Sequence, residues 1–245
     1  MTARHDGRAS NQLRPLAFNL DVPSHAAGRV IASMGQTVVL CTCTVDMKVP
    51  EFLAGQGKGW LTAEYSMLPG STLTRKARDR SGKVDGRSVE IQRLIGRALR
   101  TVVDLNKIGE RTLWIDCDVL KADGGTRTTS INGAYLALAG ALHSIRANLP
   151  FPLKDILKGS VAAVSVGLSA GEVLLDLDYL EDKDADVDLN LVMTGQQEFI
   201  EIQAGGEEAT FSTEQLERMV TVGKTGIAAI TDKQLSILSA QWSID

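Results

Sequence analysis

The chain of 245 residues, 44% hydrophobic and 23% charged, is long enough to bury a substantial core in one large domain or two small ones. No apolar run approaches the roughly 20 residues that cross a bilayer, and the polar stretch Met1 to Pro15 lacks the apolar centre of a signal peptide, so a cytoplasmic location is expected. The net charge of −4 conceals an asymmetry: Arg75 to Arg100 holds nine Lys/Arg against three Asp/Glu, and Glu172 to Glu217 holds fourteen Asp/Glu against one Lys. A basic segment in an acidic chain suits either a local anionic partner or a solvated face.

In chain order, Gly28 to Ser33 and Gln36 to Val45 are β-branched and apolar, and are predicted strands joined by a tight turn at Met34-Gly35. Trp60 to Met67 is a third strand. The glycine-rich Gly55-Gln-Gly57-Lys-Gly59 ahead of it precedes a strand rather than a helix, so it reads as a connection and not a nucleotide loop. Gly70 to Gly86 is polar and rich in Arg, Ser and Gly; a loop of that length in a compact domain is often functional. From Arg87 to Leu105 the period changes. Ile91, Leu94, Ile95, Ala98, Leu99 and Val102 fall on one helical stripe, while Arg93, Arg97 and Arg100 share another face. Arg111 to Leu120 alternates like a half-buried strand, and Thr129 to Arg146 is an apolar helix.

In the second half, Val161 to Leu168 and Val173 to Tyr179 flank the hairpin signal Ser169-Ala170-Gly171. Val187 to Met193 and Glu198 to Gln203 form another pair around Thr194-Gly195. Ser212 with Gln215 is a capping box that opens a C-terminal helix near Thr213. Strands followed by helices in each half predict an α+β fold, a single domain over residues 1–245 with two similar halves at about 12–150 and 151–240. Cys41, Cys43 and Cys117 sit in apolar stretches with no CxxC spacing, and His5, His25 and His143 are scattered. Buried reduced thiols are expected, and neither a zinc site nor a histidine triad.

Three features carry chemistry. Asp123-Gly124-Gly125-Thr126-Arg127-Thr128-Thr129-Ser130 leaves a strand and enters a helix. Its glycines allow close backbone approach, free N–H groups at a helix start favour an anion, Thr126 adds a hydroxyl, and Arg127 adds a planar two-pronged donor. This reads as a phosphate cradle or, more blandly, a Gly-rich turn with a Thr cap; without GK[ST] it is not a Walker A loop. Arg87 opens the first long helix just past Asp85-Gly86; either an anion there would meet both the guanidinium and the helix end, or the residue is an ordinary surface arginine. The run from Asp176 to Asn190 concentrates carboxylates, and such hard oxygen ligands suit Mg²⁺ if the loop folds Asp182 back towards Asp188; otherwise it is a solvated acidic loop.

Read together, four motifs in this order resemble the ribonuclease PH family nearly end to end. They are Gly57-Lys-Gly59-Trp60-Leu-Thr62-Ala-Glu64-Tyr65; Gly86-Arg87 through Glu90-Ile-Gln-Arg93-Leu-Ile-Gly-Arg97-Ala-Leu-Arg100; Asp116-Cys-Asp118 through Asp123-Gly-Gly-Thr-Arg127; and Asp176-Leu-Asp178-Tyr-x-Glu181-Asp182 with Asp188-x-Asn190. The resemblance implies two β-α units of the kind shared with polynucleotide phosphorylase and the exosome ring subunits, mixed sheets packed with helices as in the second domain of ribosomal protein S5. It implies phosphate held by Arg87, Gly125, Thr126 and Arg127, and metal and acid–base work by Asp182 and Asp188. RNA would be gripped by Arg75, Arg78, Arg80, Arg93 and Arg97. The implied activity is phosphorolytic 3′-to-5′ trimming of tRNA precursors, a phosphate-dependent nucleotidyl transfer with Mg²⁺ as cofactor, in a hexamer built from dimers. Two rivals remain: a non-catalytic RNA-binding ring subunit, which would lack the aspartates or phosphate arginines, and a hydrolytic nuclease, which would need no phosphate. One departure stands out: the family commonly carries arginine after Leu68-Pro69, where this chain has Gly70.

Overall fold

The computed structural model describes residues 4–78, 85–206 and 208–242. The first half forms a five-stranded sheet from β1 (Leu16–Asn19), β2 (Gly28–Met34), β3 (Thr37–Asp46), β4 (Trp60–Met67) and β5 (Thr112–Lys121). The spatial order is β1-β2-β3-β5-β4, antiparallel except for the parallel β4–β5 pair. Two helices lie on this sheet, α1 (Gly86–Val102) and α2 (Thr126–Ser144). The second half forms an antiparallel four-stranded sheet, β7-β6-β8-β9, from β6 (Val161–Ser169), β7 (Glu172–Leu175), β8 (Val187–Thr194) and β9 (Phe199–Gly206). After the short helix α3 (Leu153–Ile156) come α4 (Tyr179–Asp184), between β7 and β8, and the long C-terminal α5 (Thr213–Gln241).

The layers follow from where the apolar faces point. Every residue of α2 from Thr128 to Leu142 is buried, so the helix has no solvent face; it packs on β2 and β3 on one side and on β6 on the other. Strand β6 is correspondingly buried on both faces, with α2 on one and α5 on the other. A helix apolar all round belongs in such a position, between two sheets. Asn132 secures the contact: its side chain accepts from the Ala163 N–H (2.7 Å) and donates to the Ala163 carbonyl (2.9 Å), in effect adding one rung to the edge of the peptide ladder inside the core.

Several expectations shift. Strand β1 has no sequence signal beyond four residues and escapes the reading. Helix α1 stops at Val102 rather than Leu105, because Val103 turns extended and bridges Leu157. Strand β7 stops at Leu175 rather than running to Tyr179, because Asp176 adopts a left-handed backbone (φ 57°) that turns the chain away. The acidic stretch is not a loop throughout: residues 179–184 form α4, closed by a capping box between Asp178 and Glu181. All three cysteines are buried and free, as expected.

Candidate active site

The expected phosphate cradle lies at the start of α2. Gly124 and Gly125 both have left-handed backbones (φ 68° and 61°), a conformation that glycine adopts without a Cβ penalty. A side chain at Gly124 would run 2.6 Å from the Leu177 carbonyl, so the loop touches the backbone of the acidic turn where only glycine fits. Thr37 of β3 staples the same loop: its buried hydroxyl accepts from Asp123 N–H (2.9 Å) and donates to Gly124 O (2.6 Å). Gly125 caps α2 without any side-chain hydrogen bond, leaving the first-turn N–H groups open. The hydroxyls of Thr128 and Thr129 turn back to Gly125 O (2.9 Å each) and do not fill that position. Arg127 lies across the opening, donating to Glu90 of α1 (3.0 Å) and to Gln203 of β9.

Helix α1 starts differently. The Asp85 carboxylate accepts from Arg87 N–H (3.3 Å) and pairs with Lys76 (3.0 Å). The negative charge expected from a bound anion is thus already supplied there, and Arg87 has its exposed guanidinium, not the helix end, to offer.

The acidic half lies opposite. Asp188 sits on β8 with Gly167 and Gly205 directly across on its two neighbouring strands, which keeps the sheet face around it clear of side chains. Asp182 is on α4 and solvent-exposed. Desolvation raises its pKa, the like charge of Asp188 raises it further, and Arg87, Arg127 and Arg14 pull it back. Asp182 is therefore within electrostatic reach of Asp188 and of Arg87, Arg127 and Arg14.

What holds these halves in register was not foreseen. Arg14, buried, grips Asp176 through Nε (3.0 Å) and Nη2 (2.7 Å), and its Nη1 donates to Asp123 O in the cradle. Arg4 and Arg8 converge on Glu181 and on the backbone carbonyl of Asp176; Arg4 Nε donates to Glu181 Oε1 at 2.6 Å and Arg8 Nη2 to Oε2 at 3.1 Å. The cluster His5, Asp178 and Glu181 has ligand atoms close enough for a metal. Its carboxylates are already committed, Asp178 to the α4 cap and Glu181 to the two arginines.

Of the arginines expected to meet RNA, Arg75, Arg78 and Arg93 are exposed, and Arg97 is exposed but paired with Glu201 on β9. Arg80 lies outside the described residues.

The two β-α halves thus bring Asp182 and Asp188 within electrostatic reach of Arg127 at the start of α2. The family model for domain 1 of the 3′ exoribonuclease family matches residues 12–142, and that for domain 2 matches residues 159–226. Ribonuclease PH of Bacillus subtilis is 53% identical over 243 residues, covering 96% of both chains, and ribonuclease PH of Rhodopirellula baltica is 51% identical over 237 residues, covering 95% of this chain and 96% of that one. The chain therefore belongs to the 3′ exoribonuclease family, on its ribonuclease PH branch. A chain of the Archaeoglobus fulgidus exosome, solved with RNA bound to its active site, shares the fold at a TM-score of 0.79 and 19% identity, over 95% of this chain and 92% of that one.

Proposed function

We propose that this protein is a phosphorolytic 3′-to-5′ exoribonuclease, a phosphate-dependent nucleotidyltransferase that trims the 3′ ends of tRNA precursors and other RNAs and releases nucleoside diphosphates. The observation that carries this reading is the uncapped start of α2, with Thr126 and Arg127 on it, facing Asp182 and Asp188. A hydrolytic nuclease has no need of such a cradle.

In the reaction, inorganic phosphate rests on the open N–H groups of Gly125, Thr126 and Arg127, with Arg87 alongside. One of its oxygens attacks the terminal phosphodiester phosphorus, the bond to the 3′ oxygen of the preceding nucleotide breaks, and the terminal nucleotide leaves as its diphosphate. Two anions must be held in line at close range. Arg87 and Arg127 offset their repulsion and fix the geometry. A proton from one of the two aspartates goes to the leaving 3′ oxygen. The bond energy stays in the diphosphate, so 3′ extension from nucleoside diphosphates runs on the same site.

Asp182 and Asp188 present hard oxygen donors, and among the described residues neither forms an ion pair with a Lys or Arg, a donor set that fits Mg²⁺. The ion would be held by this pair and would supply electrostatic stabilisation of the charge on the transferring phosphoryl group. Arg75, Arg78, Arg80, Arg93 and Arg97 form the basic track for RNA. The domain spans residues 1–245 with halves at 12–150 and 151–240, and it works in the cytoplasm as a hexamer, a trimer of dimers. No helix among the described residues is long and apolar enough to cross a membrane.

The test is digestion of an RNA oligomer with and without inorganic phosphate. Phosphate-dependent release of nucleoside diphosphates is expected. Release of monophosphates without phosphate would make the protein a hydrolase, and binding without cleavage would make it a non-catalytic ring subunit.

A further inference from the structure

We infer that Tyr65 is a positioning residue for phosphate: its buried hydroxyl holds the Thr126 hydroxyl with the threonine proton turned towards the anion. This rests on the cradle reading above and extends it to a residue beneath the floor of the site. Tyr65 is on β4, on the face of the strand turned to the helices, and is 4% exposed. Its hydroxyl is 2.9 Å from Thr126 Oγ1, and among the described residues neither hydroxyl has another hydrogen-bond partner. Both Arg87 and Arg127 act electrostatically on the phenol, so it lies within reach of the charges that would enclose the anion.

Two hydroxyls in contact share one hydrogen bond and keep one proton free. Either the threonine donates to the phenol and offers the site only lone pairs, or the phenol donates and the threonine proton is released to a third partner. A phosphate at the start of α2 presents acceptor oxygens, which selects the second arrangement. The chain Tyr65 to Thr126 to phosphate then polarises in one direction, each donor strengthening the next. Burial pushes the phenol up from its ordinary range, against the lowering effect of the Thr126 hydrogen bond, and the proton the chain needs stays on Tyr65 at neutral pH. Phenylalanine at this position would leave the threonine hydroxyl without its anchor, and a buried tyrosine without Thr126 would have an orphaned hydroxyl, so each residue explains the other.

The experiment is a cycle of Tyr65→Phe, Thr126→Val and the double variant. It measures KM for phosphate and KM for RNA by release of nucleoside diphosphate, together with the rise in melting temperature that added phosphate gives in the absence of RNA. Tyr65→Phe should raise the phosphate KM on the order of 3- to 10-fold, the worth of one neutral hydrogen bond. It should shrink the phosphate-induced melting shift and leave the RNA KM unchanged. The double variant should match Thr126→Val alone, because Tyr65 acts only through that hydroxyl. An unchanged phosphate KM in Tyr65→Phe while Thr126→Val is impaired overturns the inference and spares the cradle. Additive effects in the double variant, or phosphate and RNA KM rising together, also overturn it. A Thr126→Val variant with normal phosphate KM and melting shift overturns the cradle and the inference with it.

Discussion

Arg14→Met should destabilise the chain by about 3–5 kcal/mol, the usual result of removing one partner of a buried ion pair. The size follows from the surroundings. The Arg14 side chain is 4% exposed and the Asp176 side chain is fully buried, so the carboxylate left behind cannot recover its lost charge partner from water. Arg8 is the nearest other cation, at 3.9 Å, too far for a hydrogen bond. Methionine fills much of the same volume, so the loss reports charge and hydrogen bonding more than a cavity. Urea unfolding measures it. Arg14→Lys keeps the charge but not the fork that reaches Asp176 and Asp123 together, and should fall between wild type and Arg14→Met. Adding Asp176→Asn to Arg14→Met removes the stranded charge and should recover part of the stability. The variants should also lose phosphate affinity ahead of RNA affinity, since Arg14 is the tie between the acidic turn and the cradle carbonyl. An Arg14→Met protein within 1 kcal/mol of wild type on this scale, or one made worse by Asp176→Asn, would refute the reasoning.

Arg127→Ala and Arg87→Ala should each weaken phosphate use far more than RNA binding, by roughly 10- to 100-fold in phosphate KM for a charge-assisted contact; steady-state kinetics at varied phosphate checks this. Asp182→Asn and Asp188→Asn should each abolish phosphorolysis and the reverse 3′ extension together, because one transition state serves both directions; near-normal activity with Mg²⁺ would return that residue to the solvated surface. At Gly70, which is exposed with open space where a Cβ would go, arginine should be accommodated without loss of stability. Gly70→Arg should tighten binding of structured tRNA precursors by an amount that shrinks as salt rises, leaving phosphate affinity alone; equal tRNA affinity and equal assembly size for both proteins would make the glycine a neutral surface change.

The long elements were legible because their apolar periods are strong: the stripe Ile91, Leu94, Ile95, Ala98, Leu99 set α1, and the Ser212–Gln215 box set the start of α5. Gly124-Gly125-Thr126-Arg127 could be read as a cradle because glycine pairs before a helix have a backbone meaning. The framework beneath the site was not legible. Arg14 stands between Leu13 and Pro15 with no local pattern, and its partner Asp176 is 162 residues away. Nothing in a linear reading separates it from a surface arginine. Thr37 and Tyr65 likewise look like ordinary strand residues until the turn after β5 is folded over them. Asp176 stands in the sequence as one carboxylate among many, but its left-handed backbone, which ends β7 and aims α4, depends on contacts from the far end of the chain.

The division of the site between the two sheets has a consequence during synthesis. The cradle ends at Arg127, while Gln203, which fixes that arginine, lies 76 residues further on, and Asp182 and Asp188 emerge in between. At about 5–20 residues per second, a ribosome needs roughly 4–15 s to cover that interval. A nascent or prematurely ended chain thus carries the anion-binding loop without the carboxylates and without the sheet that orients them. On the proposed roles of Asp182 and Asp188, such a fragment cannot cut RNA, and activity waits until the second sheet has been made.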